Sequence, residues 1–225
     1  MLFEIVRSLL IGAEVTLEVT LLAALLACGV SFAVGISRLA RHPVMRIAAG
    51  FYVELMRGVS ALVVLFWFYF ALPFFGIQLT ALQAGVLALG LTYGAYGAEV
   101  VRGAILQVPQ GQWEAAIALN MTRAQQMRLV ILPQAVMAML PPLGNLLVDL
   151  LKATSLVSLI TLSDLTFHAR ILQNSIGHTT QVFAVTLCMY FVMCYVLTLL
   201  VRRLEQRLSR GQEVGRVAAA TMAVS

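Results

Sequence analysis

The side chains in this sequence with chemical potential fall into a few short spacings. Glu54 and Arg57, Glu99 and Arg102, and Asp149 and Lys152 each stand three residues apart. For Asp149 and Lys152 that separation permits an ion pair on one helix face. Glu54, Arg57, Glu99 and Arg102 lie near span ends and read as intersubunit or loop-anchoring ion pairs. Lys152 leads into Thr154, Ser155 and Ser158, a set of hydroxyls among small apolar residues. A Glu-Ala-Ala triplet, Glu114, Ala115 and Ala116, is followed by Asn120 and then by Leu132 and Pro133. None of these groups is a catalytic constellation. A glycine-rich phosphate loop ending in Gly-Lys-Ser or Gly-Lys-Thr is absent, so ATP hydrolysis by this chain is not expected. His42, His168 and His178 are too scattered for a metal site and read as isolated loop or interface histidines. Cys28, Cys188 and Cys194 lie in apolar segments and read as small buried hydrophobes.

The elements that must position these groups are membrane spans. Of 225 residues, 61% are hydrophobic and 11% charged, and the mean hydropathy is +0.93. A soluble domain carries about a quarter charged residues. A spanning helix needs about 20 apolar residues to cross the hydrocarbon. Five runs qualify, at about residues 16–37, 55–75, 79–101, 129–151 and 182–201. The fold class is therefore all-α membrane protein. The opening residues, MLFEIVRSLLIGAEVTLEVT, read as an amphipathic lead-in to the first span and not as a removed signal peptide. Pro73 and Gly76 predict a tight turn, while Pro133, Pro141 and Pro142 predict breaks in the fourth run. The aromatic run from Phe66 to Phe70 points around all sides of a helix and reads as an interfacial belt. Residues 209–225 read as a disordered tail.

Charge sets the orientation. The net charge of +5 sits between apolar runs, which argues for juxtamembrane loops and against nucleic acid. Placing the 38–57 connection, the 102–128 loop and the C-terminal tail on one side collects twelve of the fifteen Lys and Arg residues there. Arg7, Lys152 and Arg170 are left for the other. The expected arrangement is an outside N-terminus and a cytoplasmic C-terminus.

The 102–128 loop is helix-forming. Pro109 pre-sets a helix start, Glu114 is expected in the first turn near the positive helix end, and the alanines allow a partner to come close. The run GQWEAAIALNMTRAQQMRLVILPQA resembles the EAA loop of the membrane subunits of bacterial ABC importers. VELMRG, YGAYGAEVVRGAI, VPQGQ and LLKATSLVSLI resemble the polar amino acid subfamily, and the likeness covers about residues 14–208. Asn120 stands where that family has glycine, and asparagine tolerates a left-handed backbone next best. Ser60 stands where it often has proline.

The resemblance implies a type I ABC importer permease fold of about five transmembrane helices over residues 1–208. An ATPase-coupling loop at about 105–130 would be carried by Glu114, Ala115, Ala116, Asn120, Leu132 and Pro133. It implies two ATP-binding subunits that supply ATP and Mg, a second permease subunit (identical or similar) and a periplasmic or lipid-anchored solute-binding protein. The chain itself would bind no cofactor. Asp149, Lys152, Thr154, Ser155 and Ser158 are candidates for the translocation path or a subunit interface, and Glu54, Arg57, Glu99 and Arg102 for structural ion pairs. The implied place is the bacterial inner membrane. The implied solute is a polar amino acid or an amino-acid-derived compatible solute, with LALGLTYGAYGAEVVRGAI and ALNM most similar to ectoine and hydroxyectoine permeases. A secondary transporter working without an ATPase would need internal repeats, none of which is seen. A membrane scaffold would need the loop to dock some other partner.

Overall fold

A computed structural model describes residues 2–177 and 179–222. His178 lies outside the described residues. The chain forms helices α1 (Leu2–Ser37), α2 (Pro43–Gly58), α3 (Ala61–Phe66), α4 (Ala81–Leu106), α5 (Gln110–Ala118), α6 (Arg123–Gln125), α7 (Leu132–Ala153), α8 (Leu165–Ile176) and α9 (Thr179–Met222). Among the described residues, four stretches are long and apolar enough to span a membrane: Ile5–Ser37, Ala81–Leu106, Arg123–Ile160 and Thr179–Arg207. A fifth exists if α2 and the Ala61–Phe75 stretch, bent by 102° at their junction, count as one.

This bend corrects the continuous second span expected over residues 55–75. Val59 and Ser60 are both extended, with ψ of 143° and 135°, so the helix stops at Gly58 and restarts. Beyond α3 the chain widens into a π turn (Trp67–Ala71) and then tightens into a 3-10 turn (Leu72–Phe75). Gly76 closes that turn in the left-handed region at φ 82°, as Pro73 and Gly76 predict. Within the aromatic run, Phe68 and Tyr69 pack on the core, whereas Phe66, Trp67 and Phe70 face outward.

The lead-in is not separate from the first span. α1 begins at Leu2, and Ile5, Leu9 and Ala13 are buried against Leu165, Ala169 and Val182 of α8 and α9. The fourth span also starts earlier than its apolar run, at Arg123, and passes through a π stretch (Gln126–Ile131) into α7. Helix α7 then continues through Pro141 and Pro142 without the expected break. Neighbouring helices α4 and α9 pack on it and hold it helical despite the missing N–H groups. The last helix runs to Met222, into the tail that reads as disordered. The cysteines are not buried: Cys28 and Cys188 are exposed and Cys194 is half-exposed. In a membrane protein the outward faces are apolar too, so an apolar neighbourhood in sequence does not imply burial.

The core is built on α1 against α4. Gly90, Gly94 and Gly97 recur on one face of α4 and lie under Leu26, Val30 and Ser31 of α1. Small residues at these positions let the two backbones approach closely enough for Ser31 Oγ to reach Gly94 O at 3.2 Å. Ser31 also donates to Ala27 O at 2.6 Å, so its hydroxyl is satisfied within apolar surroundings. At the far end of α1, Gly12 touches the loop before α8. A Cβ there would sit 2.7 Å from Asp164 O and 2.8 Å from Leu165 Cα. Both obstacles are backbone and cannot rotate away. Gly12→Ala is expected to destabilise the fold by about 1–3 kcal/mol, the usual scale of overpacking. The measurement is a thermal unfolding scan of the purified chain beside the wild type.

Candidate functional site

The Glu-Ala-Ala triplet lies on α5, which follows α4 after a three-residue connection. Pro109 is the N-cap, as its fixed φ favours. Glu114 is the fifth helical residue, so it stands in the second turn and not the first. The helix-dipole argument for it therefore falls away, because that effect fades beyond the first turn. Trp113 and Ala116, three residues apart, face the bundle: Ala116 is 2% exposed, and Trp113 packs on the buried cluster that includes Val101, Ile105, Ile131 and Met139. Glu114 and Ala115 are exposed, as are Ile117 at 60% and Leu119 at 70%. One face of α5 is thus anchored to α4 and the start of the fourth span, and the other carries bare apolar side chains and one carboxylate.

The end of α5 is set by Asn120, which has φ 52°. Its N–H donates to Ile117 O at 2.9 Å, and the Met121 N–H donates to Ala116 O at 3.1 Å. That pair of bonds is a Schellman cap with Asn120 in the left-handed position. Asparagine in place of glycine keeps the geometry. Thr122 and Gln125 then form a reciprocal capping box that starts α6. Gln126, buried, donates to Met121 O at 2.8 Å, and Gln134 joins the helices by donating to Gln112 Oε1 at 3.1 Å. Leu132 and Pro133 occupy the first turn of α7, just past the π stretch. The whole loop is tied to α4 and α7.

The ion-pair candidates divide. Arg102 Nη2 lies 2.9 Å from Glu99 Oε2 on the same face of α4. Glu99 also pairs with Arg38, just past the end of α1, a partner that sequence spacing did not suggest. Glu54 and Arg57 are not paired with each other among the described residues. Arg57 instead lies over the Tyr96 ring, 5.8 Å from its centroid, in a cation–π contact with α4. The 102° bend beyond Gly58 turns this end of α2 toward α4.

Asp149 and Lys152 form an exposed pair at 3.2 Å. They share one outward face of α7 with Pro141 and Asn145, at helical spacings of four, four and three. Tyr93 of α4 reaches over to donate to Asp149 O at 3.1 Å. Thr154, Ser155 and Ser158 lie on a 3-10 stretch (Thr154–Ile160), where each hydroxyl donates to a carbonyl three residues back. Thr154 and Ser158 are buried and Ser155 is half-buried. No group of His, Cys, Asp and Glu among the described residues is arranged to hold a metal.

A family model described as "Binding-protein-dependent transport system inner membrane component" matches residues 22–210. A "Probable amino-acid ABC transporter permease protein" of Sinorhizobium fredii is 46% identical over 205 residues, covering 88% of this chain and 86% of that one. An "L-cystine transport system permease protein" of Bacillus subtilis is 32% identical over 88% of this chain and 86% of its own length. Among solved structures, a chain of "an amino acid ABC transporter with histidines" superimposes with a TM-score of 0.85 at 34% identity, covering 91% of this chain and 96% of that one. A chain of the MetNI methionine ABC transporter gives 0.77 at 21% identity over 90% and 96%, a likeness of fold alone. With the family model covering most of its length, this chain belongs to the binding-protein-dependent transport system inner membrane components and has the permease fold of type I ABC importers.

Proposed function

We propose that this chain is the permease subunit of an ATP-driven importer of a polar amino acid or an amino-acid-derived compatible solute, with ectoine or hydroxyectoine as the narrower candidates. The observation that carries this reading is α5, a short helix fixed to the bundle by Trp113 and Ala116 while Glu114, Ile117 and Leu119 stand bare. Exposed apolar side chains beside a carboxylate outside the spans fit a protein cleft, and an ATP-binding subunit is the partner that the family supplies. Two such subunits, using ATP and Mg, would drive a pair of permeases, identical or similar, fed by a periplasmic or lipid-anchored solute-binding protein. The charge distribution supports placement in the inner membrane with the N-terminus outside and the C-terminus, like α5, on the cytoplasmic side. The amino-acid names of the relatives support the solute class.

Coupling follows from rigidity. A push on α5 reaches α4 through Trp113 and the buried Val101 and Ile105, and reaches α7 through Gln134 and Ile131. The Arg38–Glu99–Arg102 cluster ties α1 to the same end. The three long helices therefore rock together, as an alternation between inward-open and outward-open forms requires.

The solute path is assigned to the outward face of α7. Charged groups on a span are costly against lipid, so Asn145, Asp149 and Lys152 must look onto water or another subunit. A zwitterion matches the pair: its ammonium suits Asp149 and its carboxylate suits Lys152, each replacing the partner held at 3.2 Å. Ser155 borders this face. Thr154 and Ser158 support it from within, since burial keeps their hydroxyls out of the path.

Glu114→Arg is expected to abolish co-purification of the ATPase in mild detergent while the chain still folds. Retention of the ATPase would refute the docking role. Asn120→Gly should leave coupling intact, whereas Asn120→Val, which forces a β-branched residue into the left-handed region, should cost about 1–2 kcal/mol locally. Hydrogen exchange across residues 110–121 reads that loss. Asp149→Asn with Lys152→Gln should cut uptake of the labelled solute about tenfold or more, matching the loss of a charge-assisted contact worth about 1.5–3 kcal/mol. Assembly with the ATPase should remain unchanged, and uptake at the wild-type rate would remove these residues from the path.

A further inference from the structure

The end of the molecule opposite α5 holds a buried polar cluster that coupling does not use. Asp164 is fully buried, outside the spans, at the N-cap of α8. Its Oδ1 accepts the Phe167 N–H at 2.9 Å and its Oδ2 accepts the Thr166 N–H at 3.2 Å. From α9, the Tyr190 hydroxyl lies 3.4 Å from Oδ2 and 2.9 Å from Thr166 Oγ1. From α1, Thr16 Oγ1 accepts the Leu165 N–H at 3.1 Å and donates to Gly12 O at 3.0 Å. These bonds tie together α1, α8 and α9. The 154–160 segment packs against α8 and α1 beside them.

No Lys or Arg among the described residues pairs with Asp164. The ionisable groups facing it from its neighbours are Tyr190 on α9 and, one turn along α8, His168. The His168 ring reaches Ser8 of α1 at 3.5 Å instead. Arg7 and Glu14 of α1 and Arg170 of α8 are exposed. A carboxylate removed from water and without a cation is costly, and the two backbone N–H groups offset only part of that cost.

We propose that Asp164 is a proton-responsive positioning residue, clamping the turn between the 154–160 segment and α8 against α1 and α9 most firmly when its carboxyl is neutral. In the ionised form Oδ2 accepts from Tyr190, whose oxygen in turn accepts from Thr166. When a proton from solvent binds Oδ2, that carboxyl donates to the Tyr190 oxygen and Tyr190 donates to Thr166 Oγ1. The chain of bonds reverses, and no buried charge remains. Because the 154–160 segment packs against α8 and α1, the clamp bears on the segment that follows Lys152. That consequence for transport rests on the importer reading, whereas the clamp itself does not.

Burial pushes the Asp164 carboxyl from 3.8 up to about 6, with the Phe167, Thr166 and Tyr190 bonds pulling the other way. A carboxyl raised on folding holds its proton longer in the folded state. Its stabilisation is complete below 3.8 and is lost as the pH rises through about 6. The difference corresponds to about a 100-fold change in the folding equilibrium.

The test is thermal unfolding of the purified full-length chain in nanodiscs from pH 4.5 to 7.5, with no transport step. The wild-type midpoint temperature should fall as the pH passes about 6. Asp164→Asn should remove that step and His168→Gln should keep it. Tyr190→Phe should move the step to higher pH, because the ionised carboxylate loses a donor. A step that survives in Asp164→Asn overturns the proposal, as does one that vanishes in His168→Gln. Should Asp164→Asn fail to fold, an unmoved step in Tyr190→Phe overturns it equally. A failed importer reading would show instead as absent uptake at every pH, with these unfolding profiles unchanged.

Discussion

The rest of the structure depends on the close approach of α1 and α4. Lipid offers no hydrophobic drive for two helices to pair, so dispersion contacts at short range must hold them. Gly90, Gly94 and Gly97 remove the side chains that would keep α1 away, and Leu26, Val30 and Ser31 fill the room. Gly35 continues the seam, where a Cβ would lie 2.8 Å from Ala98 O. This contact runs along most of α4 and the C-terminal half of α1, and the rest of α1 continues past it to α8 and α9, so it fixes the ends of the molecule relative to each other. At one end it brings Arg38 to Glu99. At the other it presents Gly12 and Thr16 to the turn before α8.

The two ends are built differently, and the difference suits the roles proposed for them. Around α5 the core is apolar and well connected, with Val101, Ile105, Ile131, Ala135 and Met139 buried beneath Trp113. Such a core transmits force because close-packed side chains do not compress. Around α8 an apolar cluster of Ile5, Leu9, Leu165 and Val182 is joined by hydroxyls, one carboxyl and backbone N–H groups. Hydrogen bonds of this kind have direction and depend on protonation, which suits the clamp proposed there.

Between these ends, α7 is both a span and the surface proposed for the solute path. Its inner face is ordinary core, with Ala135, Met139, Leu150 and Leu151 buried. Its outer face shows Pro141, Asn145, Asp149 and Lys152. A single chain surrounded by lipid would leave that stripe unsatisfied, whereas a water-filled path or a neighbouring permease would satisfy it. Tyr93 bonding to Asp149 O steadies the stripe from α4.

The features legible in the sequence are those set by neighbours along the chain. Apolar runs long enough for hydrocarbon announced the spans at 79–101 and 129–151, and the structure extends both by a few residues in the same place. The left-handed turn at Asn120 came from the resemblance, which puts glycine there, and asparagine is among the few side chains that tolerate that backbone. The i,i+3 spacing gave the Asp149–Lys152 pair. The tertiary structure decided everything that depends on which distant segments meet. It gave Glu99 a second partner in Arg38 and sent Arg57 to Tyr96 in place of Glu54. It turned α2 from α3 by 102°, and it turned Cys28 and Cys188 outward. It also buried Asp164, whose sequence surroundings, Thr-Leu-Ser-Asp-Leu-Thr, look like an ordinary helix cap. Local periodicity carries information over a turn or two of helix. Burial and long-range pairing arise only once the glycine seam has set how closely the helices pack.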